Sequence, residues 1–122
     1  MAHILVCEDD PVFRDLVDMS LRAHGHAVTC TEDGAQAVRA LKSGRFDLII
    51  TDIVMPDQDG LELIRAMRGM GASQPIVAVT AGLPEMRGIV QKAAAAMGAN
   101  EVLLKPVQIP ALIGRIEALL AP

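Results

Sequence analysis

Five polar side chains follow short apolar runs of this chain, and their types fit the chemistry of phosphoryl transfer. They are Glu8, Asp9, Asp52, Thr80 and Lys105. Carboxylates that are crowded together repel one another, and a divalent cation would remove that repulsion. A site of oxygen ligands, few of them from the protein, favours Mg²⁺ over zinc. Because carboxylates can form covalent phosphoryl intermediates, we predict that Asp52 is a nucleophile toward phosphorus.

The other groups of this set have roles that their chemistry allows. We expect Asp9 and Asp52 to bind the metal directly, and Glu8 to bind it through water. The backbone carbonyl of Val54, just past the nucleophile, would complete the protein ligands. Lys105 cannot be a metal ligand, but it can pair with a carboxylate and later with phosphoryl oxygens.

Apolar runs alternate with helical patterns along the whole chain. The runs predict five strands, at residues 4–7, 27–30, 48–50, 76–79 and 102–104. Asp10 before Pro11 predicts the start of the first helix. Strands that alternate with helices indicate a parallel sheet, and right-handed crossovers place helices on both faces. We therefore predict an α/β fold, a doubly wound three-layer sandwich. Its strands end at one shared edge, where Thr80 would offer a hydroxyl donor.

Length and composition fit one domain that spans residues 1–122. The hydrophobic fraction is 52% and the aromatic fraction 2%, so the core must consist of Val, Ile, Leu, Ala and Met. The net charge of −4 argues against a general nucleic-acid binder. No apolar run reaches the roughly 18 residues of a membrane span, and the N-terminus lacks a signal-peptide layout. We therefore expect a cytoplasmic protein.

Spacing also predicts which side chains are buried. The first helix carries one apolar face, and the fourth carries a helical stripe of small and flexible side chains. Their members are Phe13, Leu16, Val17 and Leu21, and then Met86, Ile89, Val90, Ala93 and Met97. We expect Cys7 and Cys30, which fall in predicted strands, to be buried reduced thiols. For His3, His24 and His26 we expect positions in solvent or at helix ends.

The chain resembles the receiver domains of two-component response regulators over nearly its whole length. The resemblance rests on an ordered set of residues: Glu8-Asp9, Asp52, Met55-Pro56, Asp59-Gly60, Thr80-Ala81 and Lys105-Pro106. It implies a flavodoxin-like (βα)5 fold and a signalling switch that does not turn over a separate substrate. It also implies that Asp52 receives a phosphoryl group from a histidine kinase or a histidine phosphotransfer protein.

The resemblance further implies the roles of individual residues. Mg²⁺ would be held by Glu8, Asp9, Asp52 and the Val54 carbonyl. Thr80 would follow the phosphoryl group inward, and Lys105 would contact it. Phosphorylation would then bias a two-state surface formed by the fourth helix, the fifth strand and the fifth helix, where we expect a downstream protein to bind.

Two positions depart from the family pattern and leave alternatives open. Val102 and Val107 stand where the family usually carries aromatic residues, and a valine has no comparable rotamer change. A constitutive binding module that no longer switches is therefore one alternative. A phosphatase with an aspartyl nucleophile is a weaker one, because it needs a second acid where Val54 stands. The chain can also be a receiver excised from a larger regulator or hybrid kinase.

Overall fold

A parallel sheet lies at the centre of the computed structural model, which describes residues 1–55, 58–81 and 84–121. The elements in chain order are β1 (His3–Cys7), α1 (Pro11–Ala23), β2 (Ala27–Thr31), α2 (Gly34–Ser43), β3 (Leu48–Asp52), β4 (Val54–Met55), β5 (Gln58–Asp59), α3 (Gly60–Gly69), β6 (Ile76–Thr80), α4 (Arg87–Met97), β7 (Glu101–Leu104) and α5 (Ile109–Leu120). A 3₁₀ turn, Pro84–Met86, precedes α4. None of the helices within these ranges is long and apolar enough to cross a bilayer.

The strand order confirms the predicted doubly wound fold. Five parallel strands pair in the order β2-β1-β3-β6-β7, which is the flavodoxin-like order. The short antiparallel pair β4 and β5 was not predicted, because two-residue strands leave no period in the sequence. Pro56, one of the residues that carry the resemblance, lies outside the described residues.

Aspartates cap three of the helices at their first turn, where backbone N–H groups have no partner within the helix. The side chain of Asp10 accepts a hydrogen bond from the Val12 N–H, which confirms the predicted cap of α1. Asp33 and Asp59 cap α2 and α3 in the same way. In contrast, α4 has no side-chain cap at its first turn. The amino-terminal end of α4 is therefore less firmly held than those of α1, α2 and α3.

The core consists of two apolar layers, one on each face of the sheet. Alternation along the strands assigns neighbouring residues to opposite layers, so that Ile4 and Val6 face one way and Leu5 the other. One layer packs against α1 and α5, through residues such as Val17 and Leu112. The other packs against α2, α3 and α4. The sheet and the helices on its two faces form three layers, which confirms the predicted sandwich.

Several apolar residues of the two predicted helical stripes are exposed. Leu16 is 47% exposed, because the buried arc of α1 runs through Val17 and Leu21. Met86 is 43% exposed in the 3₁₀ turn, and Ile89 is 63% exposed on the outer face of α4. Apolar side chains at helical spacing therefore do not all face the core. Those that do not are candidates for contact with another molecule.

One prediction on a single residue fails, and a second holds only in part. Cys7 is buried as expected, but Cys30 is exposed, because β2 is an edge strand with one face open to solvent. His26 lies just past the end of α1, which is one of its two expected positions, and its backbone N–H donates to the Leu21 carbonyl oxygen, but its side chain is buried. Its Nδ1 accepts a hydrogen bond from the Ala2 N–H at 3.2 Å, and its Nε2 lies 2.8 Å from a carboxylate oxygen of Glu117. That partner is distant in sequence, so no local pattern predicts the contact.

Gly60 allows the turn after β3 to fold back closely. A Cβ at this position would overlap the backbone of Ile53 and lie 2.7 Å from the Asp52 carbonyl oxygen. We predict that Gly60→Ala lowers the free energy of unfolding by on the order of 2–4 kcal/mol, because backbone atoms must shift. Urea unfolding followed by circular dichroism measures this change.

Gly114 in α5 provides the matched control, because a Cβ there would meet no atom within 4 Å. Gly114→Ala should raise the free energy of unfolding by about 0.5–1 kcal/mol through helix propensity. Equal effects of the two substitutions would contradict the close approach at Gly60.

Candidate functional site

The carboxyl edge of the sheet brings together residues that are far apart in the chain. β1 and β3 are adjacent, with Cys7 opposite Thr51, so Glu8 emerges beside Asp52. β6 and β7 are paired with Thr80 opposite Leu104, which places Lys105 just beyond Thr80. The predicted convergence at one edge is therefore present.

Three carboxylates form a compact acidic cluster at this edge. Glu8, Asp9 and Asp52 each place one carboxylate oxygen so that all three lie within 4.8 Å of one another. Glu8 and Asp52 are 2% and 4% exposed, and Asp9 is half-buried. Three hard oxygen donors at one open edge fit Mg²⁺, which binds few protein carboxylates and keeps several waters. These residues could therefore hold this metal.

Lys105 joins two members of the acidic cluster. Its Nζ donates to Glu8 Oε1 at 2.8 Å and to Asp52 Oδ2 at 3.0 Å. Its side chain is only 18% exposed, so solvent screens these ion pairs weakly. The lysine predicted to contact a phosphoryl group is thus hydrogen-bonded to the predicted phosphoacceptor.

Thr80 and Val54 flank this arrangement. Thr80 is buried at the end of β6, and its carbonyl oxygen accepts a hydrogen bond from the Lys105 backbone N–H at 2.8 Å. The Val54 backbone N–H donates to Asp52 Oδ1 at 3.1 Å, and the Val54 side chain is exposed. The Val54 carbonyl as a metal ligand and the Thr80 hydroxyl as a phosphoryl contact stay predictions.

Many known proteins resemble this chain in sequence or in fold. Residues 4–117 match the family described as response regulator receiver domain. The chain belongs to this family.

Individual relatives agree with the assignment of the family. The response regulator MprA of Mycobacterium tuberculosis is 37% identical over 120 residues, which cover 97% of this chain and 50% of the relative. The chemotaxis response regulator CheY4 of Vibrio cholerae superposes with a TM-score of 0.87 at 28% identity, over 98% of each chain. The response regulator TrrA of Thermotoga maritima, solved in complex with Mg²⁺-BeF, gives a TM-score of 0.83 at 29% identity, over 98% of this chain and 99% of its own.

Membership of this family gives the general function of the domain. A receiver domain is a phosphoacceptor signalling module that binds Mg²⁺, and it is not an enzyme acting on a separate substrate. The predicted family, fold, function and cofactor are therefore confirmed. This chain spans about half the length of the curated relatives that it matches.

Glu8 and Lys105 differ in their state of charge at neutral pH. The pKa of Glu8 is raised to about 7, chiefly by burial and also by the nearby charge of Asp52, although hydrogen bonds from Lys105 and the Asp10 N–H oppose the shift. Burial alone would lower the pKa of Lys105, but its hydrogen bonds to the two carboxylates outweigh burial and raise it. The lysine is therefore charged at neutral pH, whereas Glu8 exchanges a proton there.

Two neighbours of the site on α1 were not predicted. The ring of Phe13 lies under the ammonium of Lys105, with Nζ 4.8 Å from the ring centroid. Arg14 Nη1 donates to the Glu8 carbonyl oxygen at 3.1 Å. Both residues follow Glu8-Asp9 within a few positions, and this closeness in sequence was a weak indication that they lie near the site. Their partners could be identified only once the helix was placed against the edge of the sheet.

The raised pKa of Glu8 predicts that Mg²⁺ competes with a proton. Below pH 7 the carboxyl of Glu8 is mostly protonated in the metal-free protein, so metal binding has to displace that proton. The apparent affinity should fall by up to about tenfold for each pH unit below 7 and level off above it. Titration calorimetry at pH 6 and pH 8, in two buffers of different ionisation enthalpy, measures the affinity and the released protons.

Glu8→Gln is the matched variant for this measurement, because it keeps the shape of the side chain and removes its titration. The variant should release no proton when Mg²⁺ binds. An affinity of the native protein that is equal at pH 6 and pH 8 would contradict the competition.

Proposed function

We propose that Asp52 is the phosphoacceptor of this receiver domain and that Lys105 and Thr80 contact the transferred group. The observation that carries the proposal is the position of the Lys105 ammonium, which bridges Asp52 and Glu8 beside the acidic cluster. A cation at this point can neutralise charge on a phosphoryl group bound to Asp52. Asp52 is also the cluster member that ends a central strand, and one of its carboxylate oxygens lies within 4.8 Å of carboxylate oxygens of Glu8 and Asp9.

The group-transfer step can be written for a phosphohistidine donor. An oxygen of the Asp52 carboxylate forms a bond to phosphorus while the bond from phosphorus to the imidazole nitrogen breaks. The electron pair of that bond returns to the imidazole, and the phosphoryl group becomes part of an acyl phosphate. Bound Mg²⁺ would neutralise charge on the phosphoryl oxygens. Its ligands would be Glu8, Asp9, Asp52 and the Val54 carbonyl.

The donor would be a histidine kinase or a histidine phosphotransfer protein. The support is family membership, together with relatives that are described as response regulators. Within this proposal residues 1–122 form a single receiver domain. The cytoplasm is the compartment that suits the two free thiols, of which Cys30 is exposed and would be prone to oxidation elsewhere.

The output surface would be the face formed by α4, β7 and α5. Thr80 and Lys105 both adjoin β7, so a movement of either residue reaches this face directly. Of the α4 residues, Ala94 alone is buried, and the helix lacks a side-chain cap. Ile89 adds an exposed apolar side chain that a partner could cover.

A constitutive binding module remains a second candidate because of Val102. Its side chain is half-buried and packs against the core layer under α4. A valine there cannot swing between an inner and an outer position as a ring can. If switching depends on such a ring, this receiver would bind its partner whether or not it is phosphorylated.

Incubation with acetyl phosphate and Mg²⁺ tests the phosphoacceptor. Intact-mass spectrometry should show one added phosphoryl group in the native protein and in Asp10→Asn. Asp10 is the matched control, because it lies next to the cluster but caps α1. Asp52→Asn should abolish labelling, since an amide oxygen is a poor nucleophile. Persistent labelling of Asp52→Asn would refute the assignment.

Amide hydrogen exchange with and without beryllofluoride distinguishes a switch from a constitutive module. In the presence of Mg²⁺ this phosphoryl mimic should change exchange in α4 and β7 by more than about threefold, and in α2 by much less, because α2 packs mainly against β1, β2 and α3. Identical exchange in α4 under both conditions, with the mimic bound, would favour the constitutive module.

A further inference from the structure

The Lys105 ammonium has a third neighbour besides its two carboxylates. A protonated lysine carries three N–H donors, and two of them are directed to Glu8 and Asp52. The remaining side of the ammonium faces the ring of Phe13, whose centroid is 4.8 Å from Nζ. This distance lies within the about 6 Å over which a ring attracts a cation.

We propose that Phe13 is a positioning residue for the phosphorylation reaction, because its ring holds the Lys105 ammonium over the acidic edge. The proposal rests on the proposed roles of Asp52 and Lys105. When the phosphoryl group arrives, the lysine has to exchange carboxylate oxygens for phosphoryl oxygens. A ring that attracts the ammonium without hydrogen-bonding to it can keep Nζ in place during that exchange.

The ring can perform this role because it is itself fixed. Phe13 lies on the first turns of α1, and its side chain packs against the core layer that contains Val17 and Leu112. Lysine, in contrast, ends a flexible four-carbon chain that loses several rotamers when it is held in one position. Packing of the ring therefore limits where the ammonium can go, and it keeps water from one side of it.

The composition of the chain makes the placement of this ring informative. The chain contains two phenylalanines, no tyrosine and no tryptophan. The other ring, Phe46, lies beside His3 at the start of β1, at the opposite edge of the sheet, with the two ring centroids 4.4 Å apart. Phe13 is thus the aromatic side chain that lies against the site, and any effect of ring electronics on the reaction must come from it.

The same composition allows a sharp test with fluorinated phenylalanine. Fluorine withdraws electron density from the ring face, which weakens attraction for a cation while the shape changes little. In a Phe46→Leu background, fluorinated phenylalanine enters only position 13. We expect the maximal rate of phosphorylation by acetyl phosphate with Mg²⁺ to fall stepwise from native ring to mono-, di- and trifluorinated ring, by about three- to tenfold in total. The thermal midpoint should not follow this order.

Three further variants serve as controls for this experiment. Phe13→Tyr keeps an electron-rich ring and should retain the native rate, whereas Phe13→Leu should fall to the level of the trifluorinated ring. In the Phe13→Leu protein, fluorination of Phe46 should leave the rate unchanged. Val12→Ala removes an exposed side chain of the same helix turn and should behave as native protein.

The possible outcomes distinguish failure of the proposed function from failure of the positioning role of Phe13. If the native protein is not labelled at Asp52, the proposed function fails and the role of Phe13 fails with it. If the native protein is labelled but the rate is flat across the fluorinated series, the proposed function stands and the positioning role is overturned. The same holds if Phe13→Leu reacts as fast as native protein. A stepwise fall that fluorinated Phe46 does not reproduce supports the inference.

Discussion

Repulsion within the acidic cluster is the constraint on which the site depends. Parallel pairing of β1 and β3 ends both strands at one edge and forces the carboxylates of Glu8, Asp9 and Asp52 within 4.8 Å of one another. Two of the three are almost fully buried, so water screens them weakly. One ammonium, that of Lys105, offsets part of the charge, and an excess of negative charge remains. The fold therefore brings these acids together at an edge that favours a divalent cation.

The short segment from Glu8 to Arg14 contributes most of the groups that surround the acidic cluster. Glu8 and Asp9 leave β1, Asp10 caps the helix that follows, and the next turn brings Phe13 and Arg14 back toward the edge. Helix capping and site assembly are thus coupled, because the cap sets the direction in which α1 leaves the sheet. A change that loosened the first turn of α1 would displace a ring and a guanidinium at once. The site is built by local chain geometry on one side and by long-range strand pairing on the other.

The parts of the structure that sequence predicted are those that depend on local pattern. Apolar runs located all five strands of the main sheet, and the strand ends then located the acids and Lys105. The predictions that failed concern partners chosen by tertiary packing. Cys30 is exposed because β2 lies at an edge, and His26 is buried because α5 brings Glu117 beside it. The ring beneath the lysine belongs to the same class, because no spacing in the sequence relates position 13 to position 105.

Buried apolar surface is distributed unevenly between α3 and α4. α3 has three large side chains in the core, whereas α4 contributes one fully buried alanine. Displacing the beginning of α4 would therefore expose little apolar area, and the free-energy cost scales with that area. The far end is held more firmly, because Arg68 donates two hydrogen bonds to the Gly98 carbonyl oxygen, at 3.0 and 2.8 Å, and a third to Asn100. A helix anchored at its carboxyl end and weakly packed at its amino end is suited to pivot when charge changes at the neighbouring strand ends. Within the proposed function, small side chains along α4 and at Val102 would lower the cost of that displacement, so a switch of this kind would not need a moving ring.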